Sequence, residues 1–127
     1  MIDELLNNKI VNILGTDYKL VFVKSGIDEK LLSKEYDGLC DNDNKTIYIN
    51  NNFLHDSSDT RFTNNPEAYM KRNIRHEIIH AFLHCSGLDN NCNKSEDSWA
   101  TNEEMVDWFA IQSPKINKVF NELGIGE

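Results

Sequence analysis

An α+β fold is expected, with a small antiparallel or mixed sheet packed on a long central helix and two C-terminal helices after it. Three observations predict it. Short runs of β-branched and aromatic residues fill the chain before Asn51, bounded by Gly, Asn and Asp. A long segment after Pro66 repeats apolar residues at helical spacing. Two more helical stripes follow Thr101. At 127 residues, the whole chain 1–127 reads as a single domain.

The first apolar runs are Lys9 to Leu14 and Tyr18 to Lys24, broken by Gly15-Thr16-Asp17. Val11, Ile13, Tyr18, Leu20, Phe22 and Val23 are β-formers and the break is turn chemistry, which predicts a hairpin. Ile2, Leu5, Leu6, Ile10 and Ile13 also fit an amphipathic helix over 2–14. A mixture satisfies both patterns: a helical turn to about Asn8, then the strand. Ser25-Gly26 ends this unit, and Ile27 to Lys34 reads as a short helix. Glu35 to Cys40 and Lys45 to Asn50 flank Asp41-Asn42-Asp43-Asn44 as a second hairpin. That Asp/Asn cluster lacks the glycine and glutamate of an EF-hand loop. Asn51 to Asn65 is polar, with isolated Phe53, Leu54 and Phe62, and reads as a long surface loop. His55 falls in it and is weighed as a substrate-side residue against an ordinary solvated histidine.

The central helix starts with Asn65 as N-cap, Pro66 in the first position and Glu67 behind it. Tyr69, Met70, Ile74, Ile78, Ile79, Phe82 and Leu83 continue it, and Gly87 stops it. Leu88 to Ala100 is a polar loop. Thr101 to Glu104 reads as a capping box, with Thr101 as N-cap and Glu104 at the third helical position. Met105, Val106, Trp108, Phe109 and Ile111 follow. Ser113-Pro114 is expected to end that helix and start the next, which carries Ile116, Val119, Phe120 and Leu123.

The central helix holds His76-Glu77-Ile78-Ile79-His80. Residues four apart on a helix lie on one face, so two imidazoles can meet one metal ion. Glu77, beside the first, is placed to act as a base toward water. A catalytic zinc takes a third protein ligand. A histidine six residues beyond His80 is excluded, because that position is Ser86. His84 shares the face but lies roughly 12 Å from His76 along the helix axis, too far to join both on one ion. A carboxylate on the following helix remains. With Glu104 engaged in the capping box, Glu103 is preferred, and Asp107, four residues on, can orient a ligand histidine through its second N–H. The competing reading is a solvated acidic helix start favoured by the helix dipole.

Composition narrows the classes. The net charge of −8 and pI near 4.9 argue against nucleic-acid binding. No membrane-spanning or signal segment is apparent. Cys40, Cys85 and Cys92 follow no regular spacing, as expected of reduced thiols in a cytoplasmic protein.

The metal helix followed by Glu103-Glu104-Met105-Val106-Asp107-Trp108-Phe109-Ala110 resembles the ImmA/IrrE-type metallopeptidases, a gluzincin-like group common in phages and mobile elements. Thr46-Ile47-Tyr48-Ile49-Asn50 resembles that group's edge strand, and the wider run from Asn12 to Ile116 is similar to small phage proteins of low-GC Gram-positive bacteria. The resemblance covers most of the chain from about residue 9. It implies a zincin-like fold, Zn2+ on His76, His80 and Glu103, and Glu77 as catalytic base. It further implies phage or prophage origin and action in the host cytoplasm. An accessory DNA-binding or sensor domain is not part of these 127 residues.

The expected activity is peptide-bond hydrolysis by metal-activated water, on a peptide or protein substrate held against the strand containing Ile47, Tyr48 and Ile49. Tyr48, His55, Arg75 and His84 stand as alternatives for stabilising the oxyanion. The competing classes are a catalytically silent zincin-fold regulatory protein and an acidic binding protein without metal. Oligomeric state is not legible.

Overall fold

The structure, a computed structural model, describes residues 2–24, 36–56, 58–59, 64–89 and 98–126. The short helix expected over Ile27 to Lys34, and Cys92, lie outside the described residues. Among the described residues, no helix is long and apolar enough to cross a membrane.

The N-terminal segment is the mixture of the two patterns. Helix α1 covers Ile2–Leu6, strand β1 covers Ile10–Ile13, and strand β2 covers Thr16–Val23. The hairpin turn is Leu14-Gly15, one residue earlier than the sequence break, because Ile13 pairs with Thr16. Both turn residues have positive φ, 51° and 91°, matching the tight turn whose twist suits a hairpin. Asn12 fastens it by accepting from Gly15 N at 3.0 Å.

Strands β3, Gly38–Asp41, and β4, Thr46–Asn50, form the second hairpin. The Asp/Asn cluster wires its turn: Asp41 accepts from Asn44 N at 3.1 Å and from Asn44 Nδ2 at 2.8 Å. The two hairpins join into one mixed sheet of order β1-β2-β4-β3 through parallel pairing of β2 with β4. This corrects the placement of β4. It is an interior strand, hydrogen-bonded on both sides, and the edge beside the central helix belongs to β3.

Helix α2, Asn52–His55, replaces part of the expected surface loop. Phe53 on it is fully buried, so the isolated aromatic in a polar run is a core residue. Helix α3, Pro66–Cys85, starts as expected, with Asn65 accepting from Ala68 N at 3.1 Å and Pro66 in the first turn. Gly87, at φ 82°, follows its end. The helix lays Met70, Ile74 and Ala81 on Tyr18 and Leu20 of β2 and Ile47 and Ile49 of β4, and Ile13 and Phe53 complete this core.

Two helical segments follow α3, but their boundary is not the expected one. A 3₁₀ turn covers Trp99–Thr101, and helix α4 runs without a break over Glu103–Glu122. Thr101 belongs to the 3₁₀ turn, its N–H donating to Ser98 O at 3.0 Å. The N-cap of α4 is therefore Asn102, which accepts from Met105 N at 2.8 Å. Ser113-Pro114 does not divide the helix: Pro114 lies inside it.

Candidate metal centre

The buried stripe of α3 is Met70, Asn73, Ile74, Glu77 and Ala81. Glu77 thus lies in the middle of a core-facing row, and only 7 % of it is exposed. His76 and His80 flank that row, where α3 turns from the sheet toward α4. The first turn of α4 brings Glu103 against both. Glu103 Oε2 lies 3.0 Å from His76 Nε2, and Oε1 lies 3.0 Å from His80 Nε2. The two Nε2 atoms are 3.1 Å apart. One turn further along α4, Asp107 Oδ1 accepts from His76 Nδ1 at 2.7 Å.

These atoms fit a divalent cation. One donor atom from each of His76, His80 and Glu103 falls within a sphere of contact no wider than 4.8 Å. Tetrahedral coordination with ~2.1 Å bonds separates its donors by about 3.4 Å, so the observed spacing needs only a small outward adjustment. The chemistry of the set points the same way. The Asp107 bond puts the proton of a neutral His76 on Nδ1 and leaves Nε2 with a lone pair. That lone pair meets the carboxylate of Glu103 and the His80 ring at one point, and such an arrangement needs a positive charge at its centre. Without metal a proton serves. Burial works against a charged His76, yet its bonds to Glu103 and Asp107 and the field of Glu77 outweigh it and raise its pKa to about 9. Hydrogen bonds from the two imidazoles hold Glu103 well below the usual carboxylate range.

Glu77 differs from these three residues. Burial pushes its carboxyl above the ordinary value, against the pull of His76 and His80. It borders a cleft of about 390 Å³ together with Gly38, Leu39, Cys40, His80 and Glu103. A second cleft of about 260 Å³ adjoins on the other side, walled by Asp37, Arg72, Asn73, His76 and Asp107. Glu77, Glu103, Gly38 and Tyr36 line both. Edge strand β3 therefore runs beside the histidine cluster, with Glu77 packed against Gly38.

Comparison with protein-family models, with curated proteins and with solved structures returned no match.

The structure brings His76, His80, Glu103, Glu77 and Asp107 together in one place. It does not place Ile47, Tyr48 and Ile49 there. Ile47 and Ile49 are fully buried core residues on an interior strand, and Tyr48 points to the opposite face of the sheet. Their backbone groups are already committed to β2 and β3, so the strand cannot pair with a substrate.

Three of the suggested oxyanion donors are engaged elsewhere. Arg75 Nε donates to Ala110 O at 2.6 Å, His55 pairs with buried Asp3 at 2.7 Å, and His84 with Asp89 at 3.0 Å. The carboxylate that meets His76 and His80 is that of Glu103, which lies on one helical stripe with Asp107, while the capping box expected to engage Glu104 is replaced by the Asn102 cap. Tyr36 and Gly38 were missed. Gly38 in a strand run is a sequence signal of close backbone approach. Tyr36 carries no such signal.

Proposed function

We propose that this chain is a zinc-dependent peptide-bond hydrolase with a zincin-like fold, as its resemblance to ImmA/IrrE-type metallopeptidases implies. The observation that carries this reading is the convergence of His76, His80 and Glu103 beside a buried carboxylate, Glu77, at the floor of a cleft. Two imidazoles and one carboxylate are a donor set of catalytic zinc. Zinc held there supplies a Lewis acid for the scissile carbonyl and for water.

The chain's own residues do the rest. Asp107 fixes the tautomer and ring plane of His76. Glu77 takes a proton from the attacking water and passes it to the departing amine. Its raised pKa makes it a better proton acceptor than a solvated carboxylate. Strand β3 pairs with β4 along one side, and its other edge borders the cleft, where an extended peptide can add as a further strand. Tyr36 lines both halves of the cleft, where it borders the space a substrate would occupy.

Incubation of the zinc-loaded protein with a peptide library tests this reading. Cleavage is expected that stops with chelator and with Glu77→Gln, while zinc content is unchanged in that variant.

A second reading has an observation of its own in support. Arg75, His55 and His84 are all spent on other partners, which suits a metal-binding regulatory protein of the same fold that does not turn over peptides. Zinc binding with no cleavage across the library is its expected result.

A further inference from the structure

Pro114 sits inside α4, where it has no N–H to give to the carbonyl of residue 110. Ala110 is fully buried, so its oxygen has little access to solvent. The structure supplies the missing donor from the other helix: Arg75 Nε lies 2.6 Å from Ala110 O. Proline thus creates an acceptor on the inner face of α4, and arginine fills it.

The position of this bond matters. Arg75 directly precedes His76 on α3. On α4, Glu103, Asp107, Ala110 and Pro114 follow one another at helical spacing along a single stripe. Ala110 stands about 4.5 Å beyond Asp107 and about 10.5 Å beyond Glu103 along the axis. The side chains of Glu103 and Asp107 are 69 % and 59 % exposed, so packing around them does little to aim them. Their aim follows from where α4 lies on α3.

We propose that Arg75 is a positioning residue for the metal centre. By occupying the carbonyl that Pro114 leaves bare, it clamps the ligand-bearing stripe of α4 onto α3 and sets the reach of Glu103 and Asp107 to His76 and His80. The purpose of the clamp rests on the metal reading above, and the clamp itself rests on the Arg75–Ala110–Pro114 geometry.

The test is a cycle of Arg75→Met, Pro114→Ala and the double variant, with Arg75→Lys beside them. Zinc affinity is read by competition with a chromophoric chelator, and site geometry by the visible absorption of the cobalt-loaded protein. Arg75→Met is expected to weaken zinc binding about tenfold and to alter the cobalt spectrum. Arg75→Lys, which keeps a charged donor, is expected to recover most of the affinity. Pro114→Ala returns an N–H to Ala110 O, so in that background Arg75→Met is expected to cost less than about threefold. Wild-type affinity in Arg75→Met, or the same loss in both backgrounds, overturns the proposal.

Should Arg75→Met fail to fold, the double variant is expected to fold and bind zinc, and its failure also overturns the clamp. Absence of zinc uptake by the wild type would sink the metal reading, and the positioning role with it. The clamp is then decided by urea midpoints, which are expected to fall with Arg75→Met only when Pro114 is present. Additive midpoints contradict it.

Discussion

Glu77 owes its position to Gly38. A β-carbon at residue 38 would stand 2.8 Å from Glu77 Cγ and 2.9 Å from Oε1. The backbone at Gly38 does not have positive φ, so alanine is tolerated by the chain and only the glutamate must move. Gly38→Ala is therefore expected to leave stability and zinc content near wild type while lowering kcat on the order of 100-fold, the scale of a displaced general base. Steady-state kinetics with metal analysis on the same samples check it.

His76 provides a second test at this scale. Its pKa in the metal-free fold, about 9, lies above the ordinary 6.5. The stability it contributes to the metal-free protein is complete below the ordinary value and is lost as the pH rises through about 9. A metal ion must displace that proton. Zinc affinity is therefore expected to rise roughly tenfold per pH unit across this window and to level off above it, with one proton released per ion near neutral pH. Calorimetry in buffers of different ionisation enthalpy measures that proton.

At the scale of elements, the caps and breakers show where local rules were overridden. Asn102 is the N-cap of α4 because Thr101 is committed to the preceding 3₁₀ turn. Asn102→Ala is expected to cost about 1 kcal/mol in urea unfolding and Thr101→Ala clearly less, the reverse of what a capping box at Thr101 requires. Pro114 reads as a helix end in any local pattern. It is tolerated because its orphaned carbonyl meets Arg75, 35 residues away in the chain, which no local pattern contains. Strand β4 shows the same limit. The alternation of Thr46-Ile47-Tyr48-Ile49-Asn50 identifies a strand with two inward isoleucines. Whether that strand is an edge depends on its parallel pairing with β2, such as Leu20 with Ile47, and this long-range contact leaves no mark on either segment. The two hairpins and the start of α3 were legible because their signals are local, although the first turn falls one residue before the expected break.

Across the whole molecule, the candidate centre is assembled from two helices and one strand. The first pair of histidines was legible from spacing alone. Glu103 and Asp107 were legible as a stripe, and their meeting with His76 is a tertiary fact. The burial of Glu77 follows from its place in the core-facing row of α3 and from the glycine opposite, a relation between segments that sequence spacing does not express. Because the proposed zinc site would take Glu103 from α4 and two histidines from α3, zinc is expected to tie the two helices together. At a free concentration one hundred times Kd, it should add about 2.7 kcal/mol to global stability, removable with chelator and read by urea unfolding. The most direct measurement is hydrolysis of a library-selected peptide by the zinc-loaded wild type and by Glu77→Gln, with zinc counted in both. Equal zinc, turnover by the wild type, and a rate lower by at least about 100-fold in the variant are expected. Equal rates in the two proteins, or a wild type that cleaves without metal, would contradict the proposed mechanism.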